Sequence, residues 1–195
     1  NVNDQVIEAY AGQTVVYPWG SYYTTDYEQV YSSVSFTLSD NVEQLNLTGS
    51  DNIDGTGSAQ DNLIIGNDGI NALSGGMGND TYRVQTLGDT VTENLYEGID
   101  SVESSADFTL GDNIENLILT DAAMIGTGNA LDNNIRGNAQ DNTLLGMAGN
   151  DSLDGGAGSD SISGGDGNDV IRGGYDDYSN TSPGLLSNSD MLDGG

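Results

Sequence analysis

The chain has 195 residues, of which 31 are Asp or Glu and three are Arg, with no Lys, His or Cys, giving a formal charge of -28. The usual general bases, Schiff-base amines and thiolates are therefore missing, and carboxylates are too numerous for any one pair to signal a glycosidase, so no enzyme active site is expected. Phosphate contacts need clustered Lys and Arg, which argues against nucleic acid and against an anionic membrane surface, and no apolar run approaches the length of a membrane-crossing helix.

In chain order, the first patterned segment is DQVIEAYAG (4 to 12), followed by the aromatic stretch YPWGSYYTTDY (17 to 27). The stretch places Tyr17, Trp19, Tyr22, Tyr23 and Tyr27 within eleven positions. Two readings stand side by side: a contact surface for sugar rings or a second copy of the chain, and a local hairpin covering strand edges. Next comes VSFTLSDNVEQLNLTGSDNIDGTGSAQDNLIIGN (34 to 67), whose alternating apolar residues predict short strands. Its end overlaps the nine-residue units GSAQDNLII (57 to 65) and GNDGINALS (66 to 74), then GGMGNDTYR (75 to 83).

The same order then recurs. DTVTENLYEG (89 to 98) matches the segment at 4 to 12, and ADFTLGDNIENLILTDAAMIGTGNALDNNIRGN (106 to 138) matches 34 to 67 at offsets of 72 and then 71 residues. Nonapeptides resume with GNALDNNIR (128 to 136) and GNAQDNTLL (137 to 145), and become fully regular in GMAGNDSLD, GGAGSDSIS and GGDGNDVIR (146 to 172). Two departures remain: an insertion over about 13 to 29, and YDDYSNTSPGLLSNS (175 to 189) before DMLDGG. Loops on a rigid scaffold are where specific binding tends to sit. The domain expectation is one continuous unit over 1 to 195, built of two long repeats at about 1 to 83 and 84 to 195.

The regular unit reads G-G-x-G-x-D-x-U-x, with U a large apolar residue: Leu153, Ile162 and Ile171, preceded by Ile135 and Leu144. A unit this short buries nothing alone and must stack on its neighbours. Glycines permit the tight turn, and the last three residues form a strand with U pointing inward. Two units make one coil, so residues eighteen apart lie above one another and Asp151 stacks near Asp169. Like charges at that distance repel unless a cation sits between them, and the chain has almost none of its own. A hard divalent ion served by carboxylates and turn carbonyls is the remedy, and calcium suits such a cage better than magnesium. In the units at 57, 66, 128 and 137 the sixth residue is Asn62, Asn71, Asn133 and Asn142; these are read as metal-free turns closed by amide hydrogen bonds, with Asp61, Asp132 and Asp141 solvated. Arg83, Arg136 and Arg172 hold ninth positions, facing outward, where they relieve repulsion between turns.

These tandem nonapeptides resemble those of the RTX (repeats-in-toxin) calcium-binding proteins. The resemblance implies an all-β fold, a parallel β-roll or β-solenoid stabilised by several Ca²⁺ ions, here with two surface loop insertions. It also implies ligand sets. Carbonyls of Met147 and Gly149 with Asp151 would meet Gly164, Asp166 and Asp169; Gly156, Gly158 and Asp160 would meet Gly173, Tyr175 and Asp190. Gly76, Gly78 and Asp80 would meet a partner near Glu97, Gly98 and Asp100, of which Asp100 is the carboxylate chosen. A methionine at position 147 matters little if only its carbonyl is used.

Extracellular calcium modules bind at roughly 10⁻⁴ to 10⁻³ M, so such a chain stays unfolded inside the cell and folds after export. RTX relatives leave Gram-negative bacteria by the type I pathway, which implies a secreted or cell-surface location. A chain that begins without Met and stops inside a repeat reads as part of something larger. The functional expectation is a non-enzymatic, calcium-rigidified part of a large surface protein, such as an adhesin, surface-layer or filament component. The alternative is the non-catalytic calcium-binding domain of a secreted protease, lipase, alginate epimerase or cytolysin. Partners are Ca²⁺, and through the aromatic stretch other copies of the chain or a surface glycan.

Overall fold

The computed structural model describes residues 27 to 174 in full, and the backbone of Gln5–Ile7, Val16–Tyr17, Gly20–Ser21 and Met191–Asp193. Every regular element among the described residues is a strand of two to six residues, and there is no helix. The sequence dictates this: three-residue apolar alternations between Gly, Asn and Asp clusters leave no run long enough for a helical stripe.

The strands stack into a β-solenoid. One side is a 10-stranded sheet in the order Gln5–Ile7, Gln29–Ser32, Gln44–Leu47, Leu63–Ile65, Thr81–Val84, Ser101–Ser104, Asn116–Leu119, Asn134–Arg136, Ser152–Asp154 and Val170–Arg172. The facing side is split into a 4-stranded sheet, Phe36–Thr37 to Thr90–Val91, and a 5-stranded sheet, Phe108–Thr109 to Met191–Asp193. All ladders between turns are parallel, as expected, with one departure: Gln5–Ile7 pairs antiparallel with Gln29–Ser32, Gln5 opposite Tyr31. A separate antiparallel hairpin, Val16–Tyr17 with Gly20–Ser21, lies inside the first insertion.

Register shows the coil length directly. Leu117, Ile135, Leu153 and Ile171 are successive Cα partners, eighteen residues apart, and all but the last are fully buried. Gly126, Leu144 and Ile162 form the matching column on the other sheet. Each fully buried Leu or Ile contributes roughly 1.5 to 3 kcal/mol, so the columns supply the apolar driving force that no single unit has. Coil length is not constant, however. Val102 to Leu117 is fifteen residues and Tyr82 to Val102 is twenty, while Ile162 to Leu192 is thirty, twelve more than the eighteen of its neighbours. The short coils have their own corner device: Ser104 Oγ donates to the Ala106 carbonyl at 2.6 Å, and Ser32 Oγ to the Val34 carbonyl at 2.8 Å, 72 residues earlier.

Candidate metal centres between the turns

The sixth position of each nonapeptide is where one turn meets the next. Where it is asparagine, the amide closes the turn by itself. Asn133 Oδ1 accepts the Asn129 N–H at 2.7 Å, and its Nδ2 donates to the carbonyls of Ile114 and Glu115 at 3.1 and 3.3 Å. Asn62 and Asn71 accept from Ser58 and Asn67 and donate to Val42 and Ile53 in the same way. Asn142 repeats the scheme with Asn138 and Ala123.

Aspartate has no donor and cannot do this. Instead Oδ1 accepts an N–H from the turn below: Asn62 to Asp80 and Asn133 to Asp151 at 2.7 Å, Asn142 to Asp160 at 2.8 Å, and Asp151 to Asp169 at 2.9 Å. The other oxygen of Asp80, Asp151 and Asp169 is buried without a hydrogen-bond partner. Leaving such an oxygen unmet costs about 1 to 3 kcal/mol, and more for a charge. A cation removes that cost.

The backbone separates the two kinds of turn as well. Positions two and four of aspartate units take positive φ: Gly76 and Gly78, Met147 and Gly149, Gly156 and Gly158, Gly165 and Gly167. No asparagine unit does this. The carbonyls of Met147 and Gly149 consequently face the Cα atoms of Gly165 and Gly167 one coil above, where a Cβ would collide with them. At Gly146 an added Cβ would collide with both Asp151 Oδ2 and the Gly164 carbonyl, so two of the expected ligands face the same space. At Gly155 the corresponding pair is Asp160 Oδ2 and the Gly173 carbonyl.

The remaining expected ligands are less uniform. Asp166 has an exposed side chain, and its carbonyl accepts the Gly149 N–H at 2.9 Å. Met147 adopts φ 83°, a strained conformation for a residue with a side chain, so methionine at that place has an energetic consequence beyond its carbonyl. Tyr175 and Asp190 lie outside the described residues. Asp61, Asp132 and Asp141 are not simply solvated: their Oδ1 atoms accept the N–H of Asn79, Asn150 and Ser159 one coil above, at 2.7, 2.6 and 2.8 Å. This outer ladder runs opposite in sense to the inner one.

Where the period breaks, three acids converge. Asp80, Glu93 and Asp100 are 1%, 4% and 0% exposed, and one oxygen of each lies within 4.8 Å of one from each of the others. Asp80 precedes Thr81–Val84, Glu93 follows Thr90–Val91, and Asp100 precedes Ser101–Ser104. Asp100 Oδ1 accepts the Asp80 N–H at 2.8 Å; Glu93 Oε1 accepts the Gly75 N–H at 2.9 Å and the Tyr82 hydroxyl. Burial, followed by the neighbouring carboxylates, pushes Asp80 and Glu93 up to about 7 and raises Asp100; burial and then Asp169 raise Asp151. Glu97 is turned to Asn94, whose hydrogen bonds hold its carboxyl below the usual range. Glu93 was not among the expected ligands, although a signal existed: Glu8 holds the same place in the matching segment at 4 to 12.

Among the arginines, Arg83 pairs with Glu103 one coil above at 2.6 Å, and Asp154 lies between Arg136 and Arg172 in the ladder. Of the aromatic stretch, Tyr17 is placed by its backbone in the hairpin, while Trp19, Tyr22 and Tyr23 lie outside the described residues. Tyr27 is 50% exposed, with its hydroxyl donating to Gln44 Oε1 at 2.8 Å.

Stacked nine-residue turns with inward aliphatics, positive-φ corners and half-satisfied buried aspartates define a class: the β-solenoid built for cations between its coils. Residues 56–84, 127–162 and 155–177 match the family model of the RTX calcium-binding nonapeptide repeat (4 copies), so these segments carry RTX repeats. No curated protein and no solved structure matches the chain. No helix among the described residues is long and apolar enough to cross a membrane.

Proposed function

We propose that this chain is a non-enzymatic, calcium-rigidified rod belonging to a large secreted bacterial surface protein, exported unfolded and set by external calcium. The observation that supports this most is the set of buried aspartate oxygens without partners, at Asp80, Asp151 and Asp169, on a solenoid whose sixth positions at Asn62, Asn71, Asn133 and Asn142 are closed by amide hydrogen bonds. The ions belong between Met147, Gly149, Asp151 and Gly164, Asp166, Asp169, and between Gly156, Gly158, Asp160 and Gly173, with Tyr175 and Asp190. Gly76, Gly78, Asp80 and Asp100 serve a third place. One continuous unit of two long repeats within a larger protein fits the unbroken 10-stranded sheet, and adhesin, surface-layer or filament membership fits a composition without Lys, His or Cys.

Chelation of the purified chain is the test. Far-ultraviolet dichroism should change from strand to disordered in excess chelator at neutral pH and return with millimolar calcium; a strand signal indifferent to chelator overturns calcium-coupled folding. The second reading, a calcium domain serving a secreted enzyme or toxin, is distinguished by what the rest of the protein contains. Deleting residues 17 to 27 tests for a glycan or self-association surface, since assembly or ligand binding should be lost while the strand signal stays.

A further inference from the structure

Glu93 stands outside the segments that match the repeat model, as does Asp100, and neither belongs to a nonapeptide. Both nevertheless reach the same buried point as Asp80. We propose that Glu93 completes the third place, joining Asp80 and Asp100 in a three-carboxylate centre for one hard cation, calcium outside the cell and a lanthanide by preference in the test tube, where the solenoid changes its coil length. This centre rests on the proposed function's premise that cations enter between turns, and adds Glu93, a ligand which that reading does not include.

The geometry carries the assignment. Each acid gives one oxygen to an N–H: Asp80 to Asn62, Glu93 to Gly75, Asp100 to Asp80. Each second oxygen, Oδ2, Oε2 and Oδ2, is buried with no hydrogen-bond partner. Hydrogen bonding therefore fixes all three side chains and leaves one buried oxygen of each without a partner. Three oxygens all within 4.8 Å of one another lie at most about 2.8 Å from a common point, so one calcium ion with bonds of about 2.3 to 2.6 Å reaches all three after an inward shift of a few tenths of an ångström. Thiolate and imidazole are absent from the chain, which leaves oxygen-seeking ions as the ligand class. Three charges around a divalent ion leave an excess of one, which a trivalent ion cancels.

The coil length explains why an additional ligand is needed here. Between Tyr82 and Val102 the chain spends twenty residues on a coil instead of eighteen, so Asp100 becomes the inner-ladder partner of Asp80, while the nearby Glu97 side chain accepts from Asn94. Glu93 enters from the opposite sheet, below Val91, and completes the set. Tyr82, fully buried, holds Glu93 through its hydroxyl and places a phenol ring beside the ion.

Terbium is the probe, because a tyrosine next to the ion sensitises its luminescence. The 195-residue chain is stripped of calcium, titrated with Tb³⁺ under tyrosine excitation, and counted for bound ions by native mass spectrometry. The wild type should show sensitised emission at its first equivalent of ion. Glu93→Gln, which keeps both acceptor bonds, should lose one ion and weaken the emitting site about tenfold or more. Asp169→Asn should lose a different ion and leave the emission in place. Unchanged count and emission in Glu93→Gln overturns this centre while the proposed function stands if Asp169→Asn still loses an ion; no ion lost in either variant overturns both. If Glu93→Gln does not refold in calcium, Tyr82→Phe decides: persistence of full emission without Tyr82 overturns the site, and its loss supports it.

Discussion

The backbone N–H of Asp151 donates to Oδ1 of Asp169, one coil above, at 2.9 Å, while Oδ2 of each residue has no partner. One oxygen of each aspartate ties the coils together, and the other opens onto the gap between them. Replacing Asp169 by Asn keeps the tie and removes the charge, so calcium affinity at this place should fall by about tenfold or more with little change in the strand spectrum at saturating calcium. Isothermal titration of the variant against wild type checks this. Asp132→Ala is the contrast: it removes the outer bond to Asn150 and should lower the melting midpoint without altering the number of ions bound. Equal ion loss in both variants contradicts the division between inner and outer aspartates.

Asn133→Asp tests the converse. The change deletes two Nδ2 donations, to Ile114 and Glu115, and adds a buried charge directly below Asp151 without the positive-φ carbonyls that an ion requires. The loss should be about 1 to 3 kcal/mol in thermal or chemical unfolding, and extra calcium should not restore it. Recovery at high calcium would show that the asparagine turns accept ions after a single change.

Met147→Gly should stabilise the protein. A side chain at φ 83° costs roughly 1 to 2 kcal/mol, and the entropy of a new glycine in the unfolded chain takes back about half of that. The expected net gain is about 0.5 to 1 kcal/mol at fixed calcium, read from a denaturant midpoint. A loss of stability would mean that the exposed Met147 side chain packs in a way its 53% exposure does not indicate.

At the proposed centre, protons and calcium would compete for the same acids. With Asp80 and Glu93 raised to about 7, against ordinary carboxylates near 4, the folded chain binds more protons than the unfolded one between those limits. Stability of the calcium-free fold therefore falls as pH rises from about 4 to about 7. The chelated chain at pH 5 should regain strand signal relative to pH 8, and calcium binding near pH 6 should release protons. Titration in two buffers of different ionisation enthalpy measures that release, and identical heats would contradict it.

The sequence displayed the nine-residue period, the inward column of Ile135, Leu153 and Ile171, and the distinction between Asn133 and Asp151 as plainly as the structure does, because each depends on one residue at a fixed offset. Four features were hidden. Glu93 meets Asp80 and Asp100 from the opposite sheet, at a place with no nonapeptide, where Glu8 in the matching segment at 4 to 12 is the one sequence mark. The twenty-residue coil between Tyr82 and Val102 is set by pairing, not by pattern. Reversal of Gln5–Ile7 against Gln29–Ser32 depends on how the intervening chain returns, which composition does not specify. The outer ladder of Asp61, Asp132 and Asp141 escaped because exposed aspartates ordinarily do nothing more than solvate a surface.

Each coil touches only the one before it and the one after it, so neutralisation is settled locally. Ten strands at roughly 4.8 Å a step extend on the order of 40 Å, several times the distance over which physiological salt lets charges feel each other. Adding further coils would lengthen the object without raising the electrostatic burden on those already present. A polyanion organised in this way has no intrinsic limit on its reach, and under the proposed function its stiffness would track the calcium in the water around it.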